Sequence, residues 1–234
     1  MKGIKRGIVF LVMAFLPLSV PAQDLSVEDI YLQQSAEIQV VRDLSSDSGR
    51  DLKAIALEYI GEIINRGDAD DEIRKILADL TMDGVRDQVR RNGRVMNNYP
   101  DLRIRAVDYL ARMGTPEANT SLTKILTLAA DQASAVEEDP SVVTAAIKGV
   151  ARIGRTDDDG ESLRVIYAVY WRYNTLKPDN ALAMAVASAI DSFTEKGVKD
   201  EGSASVLMSI QSNYDYIKVV RDRAADALSN LRKL

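Results

Sequence analysis

Apolar residues recur along this chain at steps of three and four, the spacing of one helical face, and the pattern itself repeats. In "DLRIRAVDYLARMG", Leu102, Ala106, Val107, Leu110 and Met113 fall on one stripe. Forty residues later "SVVTAAIKGVARIG" spells nearly the same order around Ala146. Aligning the chain on a small residue at one helical position gives five registers: Ala56, Ala106, Ala146, Ala185 and Ala224. Their intervals are 50, 40, 39 and 39 residues. Self-similarity at that period predicts a helical solenoid.

Each register is followed by a second amphipathic run. Gly114 and Gly154 fall where a glycine at positive φ ends a helix. In "TPEANTSLTKILTLAA", Thr115 is placed as N-cap and Pro116 as the first helical residue, with Leu122, Ile125, Leu126 and Ala129 as the buried stripe. The unit is helix, turn, helix. One hairpin leaves apolar surface open, and stacking copies closes it into a continuous core. The expectation is an all-α solenoid with repeats near 48–82, 98–132, 139–174 and 178–214, and a terminal helix over 216–234. Arg221, Arg223, Asp226, Arg232 and Lys233 make that last helix a polar cap. At the other end, "SVED" from Ser26 is a near capping box that opens a covering helix within 23–47.

The stretch "YPDLRIRAVDYLARMGTPEANTSLTKIL" resembles the HEAT-like repeats of the bilin-lyase type, on Pro100, Arg103, Ala106, Leu110, Gly114 and Pro116. Pro140, Ala146, Val150 and Gly154 match in the next copy, and Val220, Arg221, Ala224 and Leu228 in the last. The resemblance runs from about Ser48 to the C-terminus. It implies a right-handed α-α superhelix whose second helices line the concave side, and it is nearly silent on activity. Val143 and Leu182 stand where the family has arginine, and the fourth copy lacks the turn glycine in place. A bilin-attaching activity is not carried over, since no chromophore context is legible.

The first residues change the picture of charge and compartment. "MKGIKR" is basic, "GIVFLVMAFL" is an apolar run of about ten, and "PLSVPA" ends with Val20 and Ala22 at the −3 and −1 positions of a cleavage site. Residues 1–22 are therefore expected to be a secretory signal, with a chain from Gln23 that is periplasmic or secreted; an uncleaved anchor is the alternative. No later run approaches the ~18 apolar residues of a spanning helix. The full chain carries 30 bases and 35 acids. Removing Lys2, Lys5 and Arg6 leaves 27 against 35, a net of −8 that opposes nucleic-acid binding.

The chain has no cysteine and no histidine. That excludes disulfides, lipid-modified cysteine, a Ser-His-Asp triad, a Cys-His pair and a standard zinc site. No phosphate-binding GxxxxGK[ST] or GxGxxG occurs. Acidic clusters at Asp68, Asp157 and Asp200 do not fit a calcium loop, and each precedes a second helix, where carboxylates cap free N–H groups. No cofactor and no metal is expected. The chemistry left is that of carboxylates alone, such as hydrolysis of a cell-wall glycan by two acids about 5 to 9.5 Å apart.

Two segments exceed what stacking needs. In "VIYAVYWRYN", Ile166, Val169, Tyr170 and Tyr173 form one face, and Tyr167, Trp171 and Asn174 an adjacent one beside Arg164. Aromatic and arginine anchors dominate interfaces, so Arg164, Tyr167, Tyr170, Trp171 and Asn174 are candidate partner-binding residues. The competing reading is a bulkier core. The 50-residue interval marks an insertion over 83–97, basic at Arg86, Arg90, Arg91 and Arg94, with Val85 and Val89 alongside. It is either a surface for an anionic partner or a lipid headgroup, with Arg86 and Arg90 as candidates, or a solvated connection. The sequon at Asn119 lies inside an expected helix. Together these features predict a non-enzymatic scaffold or adaptor holding another protein, or an extended segment of one, on its second helices. The glycan hydrolase is the alternative.

Overall fold

The computed structural model describes residues 27–131, 139–154 and 160–234. Among them are ten helices: α1 (Val27–Ser46), α2 (Arg50–Arg66), α3 (Asp71–Thr81), α4 (Pro100–Met113), α5 (Pro116–Ala130), α6 (Pro140–Ile153), α7 (Glu161–Leu176), α8 (Asn180–Glu195), α9 (Glu201–Ser212) and α10 (Lys218–Leu231). A two-stranded hairpin, β1 (Arg90–Arg91) and β2 (Arg94–Val95), interrupts them. This is an all-α helical repeat fold.

The helices stack in two rows. The even helices pack each on the next, α2 on α4, α4 on α6, α6 on α8 and α8 on α10. The odd ones do the same from α1 through α9. The rows meet face to face, α3 on α4 and α5 on both α4 and α6. The five register alanines all lie in the even row and are at most 2% exposed. Their methyls leave room for the facing side chains, which is why the same residue returns at each step. The covering helix expected near the N-terminus is α1, first member of the odd row.

Local signals in the sequence set the helix ends. Gly114 (φ 68°) and Gly154 (φ 86°) adopt the positive angles expected of them. Thr115 accepts from the Ala118 N–H at 3.2 Å, with Pro116 next. Two of the three acidic clusters cap as read: Asp70 accepts from the Glu72 and Ile73 N–H groups, and Asp200 from that of Gly202. The third cluster, the Ser26 capping box and the segment read as a signal lie outside the described residues, save that Gly160 and Glu161 open α7. In the fourth repeat the missing glycine has a visible consequence. Helix α8 overruns by about one turn and ends at Glu195, with Lys196 as its cap before Gly197, at φ 79°.

Helix C-termini, by contrast, are closed over long range. Arg103 on α4, 1% exposed, donates from Nε to the Thr81 carbonyl at the end of α3 at 2.7 Å. Arg172 on α7 reaches the Ala129 carbonyl at the end of α5 at 2.8 Å. Lys196 reaches the Ala151 carbonyl of α6 at 3.1 Å. Each cation satisfies orphan acceptors at the negative end of a helix dipole.

Candidate functional site

The segment 83–97 is a built element rather than a loose connection. Asp83 Oδ2 accepts from Lys53 Nζ of α2 at 2.6 Å, an ion pair almost wholly withdrawn from solvent. The other oxygen of Asp83 accepts from Asn97 Nδ2 at 3.1 Å. Asn97, 5% exposed, also donates to the Asp87 carbonyl and accepts from the Val89 N–H, so one side chain joins both ends of the insertion. Gly84 sits at φ 70°, and a Cβ there would lie 2.5 Å from the Asn98 backbone. Val85 is buried beneath.

The hairpin turns at Asn92 and Gly93, with φ of 51° and 78°. Those angles at a two-residue Asn-Gly loop match the twist of paired strands. Arg90 pairs with Val95, Arg91 with Arg94, and the Met96 N–H donates to the Val89 carbonyl at 2.8 Å. Alternation places Val89, Arg91, Arg94 and Met96 on one face. Val89 and Met96 are each about half exposed there. Two guanidinium groups directly opposite each other destabilise a strand pair unless an anion lies between them. Among the described residues no carboxylate pairs with Arg86, Arg91 or Arg94. Arg90 points otherwise, folding onto Gln88 and the Gly93 carbonyl.

Clefts open on both sides of this element. One, of about 510 Å³, has walls of both signs of charge, among them Arg42, Lys75 and Arg86 with Glu72, Asp79 and Asp87. A second, of about 450 Å³, lies between the insertion and α5, walled by Met82, Val85, Arg86, Lys124, Thr127 and Leu128. Arg86 belongs to both. Lys124 and Thr127 continue into a third, of about 240 Å³, between α5 and the start of α7. The clefts therefore share walls along the odd row. Lys124 and Leu128 escaped the sequence reading because α5 looks like any other amphipathic helix. The hairpin itself is signalled by Asn92-Gly93, a dipeptide that favours a two-residue turn.

The aromatic stretch on α7 behaves otherwise. Tyr167 and Tyr170 are buried, at 7% and 0% exposure, so of the candidate residues in this stretch these two are not open to a partner. Their hydroxyls cross to α9, Tyr167 to Ser203 Oγ at 2.6 Å and Tyr170 to Ser209 Oγ at 2.9 Å. Asn174 is half-buried and accepts from the Tyr216 hydroxyl at 2.7 Å. A Cβ on Gly202 would lie 2.7 Å from the Tyr167 ring, so α9 approaches α7 as closely as a backbone allows. Arg164 is exposed, and Trp171 keeps 42% of its surface in solvent while meeting Tyr170 edge-on. The physical reason for the correction is the seam. Odd-row helices here need large side chains with polar tips, because α7 and α9 are joined by hydroxyl contacts rather than by apolar packing alone. The sequon residue Asn119, 3% exposed within α5, is likewise enclosed.

Burial raises the pKa of the Tyr167, Tyr170 and Tyr216 phenols above the ordinary value. Their folded pKa exceeds the unfolded ~10, so the stability they contribute is complete below ~pH 10 and is lost as pH rises further. Melting temperature is expected to hold between about pH 7 and 9.5 and to fall steeply above 10. In a Tyr167→Phe/Ser203→Ala protein that alkaline slope is shallower; an unchanged slope would remove Tyr167 from the account.

Asp191 is the one buried carboxylate among the described residues, and it holds a cation and an amide, as the half-buried Asp83 does. Asp191 pairs with Arg223 at 2.8 Å and accepts from Asn230 at 3.0 Å. No helix among the described residues is long and apolar enough to cross a membrane. Set against family models, curated proteins and solved structures, the chain matches none.

Proposed function

We propose that this protein is an exported HEAT-like repeat scaffold that holds an extended acidic segment of another protein along its odd helical row. One observation carries the reading: the exposed face of the hairpin sets Val89 and Met96 beside the facing pair Arg91 and Arg94, in a chain that is acidic overall. An acidic segment relieves the arginine repulsion, and an apolar side chain beside it covers Val89 and Met96. The cleft between the insertion and α5, running on from Arg86 to Lys124 and Thr127, supplies a track several residues long. Export is supported by the layout of residues 1–22, and the HEAT-like assignment by the alanine registers, the turn glycines and the buried Arg103.

Affinity capture from the native envelope, read by mass spectrometry, tests it. A protein recovered by the wild type and lost by Arg91→Glu/Arg94→Glu is the expected result, with recovery falling as salt is raised. Trp171→Ala is expected to leave capture intact, since that ring lies away from the hairpin. Equal recovery by the charge-reversed protein sinks the proposal.

A further inference from the structure

The two ends of the helical stack are built differently. On α2, Gly61 faces α4, where the Tyr109 side chain leaves no room for a Cβ. The opposite flank of α2 carries Leu52, Ile55 and Tyr59, each 37–41% exposed. These are not stray residues. Leu52 and Tyr59 stand four before and three after Ala56, as Leu102 and Tyr109 stand to Ala106. In α4 the same two positions are 6% and 9% exposed, because α2 covers them. The end of the odd row matches: Val40 of α1 is half exposed, on the side away from the Arg42–Glu72 pair that ties α1 to α3. Among the described residues, this end is a repeat interface without its neighbour.

At the other end, α10 turns Arg223 and Asn230 toward Asp191 of α8 and presents Lys218, Ser229 and Arg232 on its far side. Met208 of α9, half exposed, closes the odd row there. We infer that this end receives the first: copies of the chain stack head to tail, α10 of one against α2 of the next, continuing both helical rows.

The internal interfaces supply the template. Tyr109, three after its alanine, sits on Gly61, five after the preceding one; Gly149 sits on Ala111 by the same rule. Applied between copies, the rule sets Tyr59 of one copy on Ser229 of another, again a small residue. Arg50, six before its alanine, pairs with Asp101, five before the next. The residues at those places across the junction are Lys218 and Asp51, a cation and a carboxylate. Both are highly exposed, and the Lys218–Asp222 and Arg50–Asp51 contacts are open surface pairs. Val40 meets Met208 on the odd row. Because the two surfaces differ, the contact is heterologous and adds copies in a line unless rotation closes a ring.

The inference uses none of the residues of the hairpin face, although the cleft of about 510 Å³ beside that face is walled in part by α1 and α2. Sedimentation velocity of the protein purified from its own cells is expected to show species growing past a dimer as concentration rises. Lys218→Glu and Asp51→Lys, both exposed and folded by circular dichroism, each weaken association by about tenfold, and the two together restore it. Tyr59→Glu abolishes it. A monomer up to the solubility limit overturns the inference. So does a species that stops at two and ignores Lys218→Glu, which would mean symmetric pairing through α2, and so does failure of the double variant to recover.

Discussion

Replacing Arg223 with methionine lowers the melting temperature by about 6–12 °C, the effect expected when a buried carboxylate loses its cation. Asp191 is 2% exposed and its two partners are Arg223, at 2.8 Å, and the Asn230 amide. Methionine keeps much of the arginine volume, so packing changes little and the cost falls on the uncompensated charge. Breaking such a pair from one side costs about 3–5 kcal/mol. Arg223 itself is a third exposed, which places the figure near 3, and a domain of this size moves ~2–4 °C per kcal/mol. Arg223→Met/Asp191→Asn then recovers most of the loss, because asparagine keeps an acceptor for Asn230 and carries no charge. Since each repeat touches only its neighbours, amide exchange is expected to rise in α8 and α10 and to stay unchanged in α2 and α4. An equally large loss in Arg66→Ala, whose pairs with Glu37 and Asp68 are open to solvent, would contradict this; that change is expected to leave the melting temperature nearly unchanged.

Arg103→Met is expected to cost about 3 kcal/mol in denaturant unfolding. Arg103 is the largest fully buried side chain and donates to the Thr81 carbonyl that ends α3. Methionine restores the apolar stem but leaves a carbonyl without its donor at the negative end of a helix, at ~1–3 kcal/mol per unsatisfied group, beside the lost attraction of the cation for the dipole. Arg103→Lys recovers only part, because an ammonium lacks the guanidinium's fixed fork of donors. Protection against exchange is expected to fall first in the last turn of α3, although the substitution lies on α4. Unchanged stability in the methionine variant would mean that Thr81 finds another donor and that the arginine sets only the register.

The same residue shows how far a sequence carries. Arg103 is legible as part of a repeat pattern, yet its role is not, since the carbonyl it closes lies 22 residues away on another helix. The hairpin was legible in principle. Asn-Gly is a two-residue signal that depends on backbone angles alone, and the arginine-rich runs beside it carry no strand alternation to reinforce it. The face formed by Val89 and Met96 with Arg91 and Arg94 follows once the strand pairing is known. Its place beside α5 follows from nothing local. Lys53 and Asn97, which hold the insertion down, sit at positions that periodicity marks only as helix and loop.

What the amino-acid order determined by itself were the helices, their ends and their repetition. These rest on contacts three or four residues apart and on single-residue preferences, Gly114 at positive φ or Thr115 beside Pro116. Tertiary structure alone decided which apolar side chains meet water. Tyr59 and Tyr109 occupy the same place in the pattern, yet one is exposed and the other enclosed. Tyr167 looked like a surface anchor and proved to be part of the α7–α9 seam. Burial is a property of having a neighbour, and whether a neighbour is present is settled by packing over tens of residues, not by the spacing within one helix.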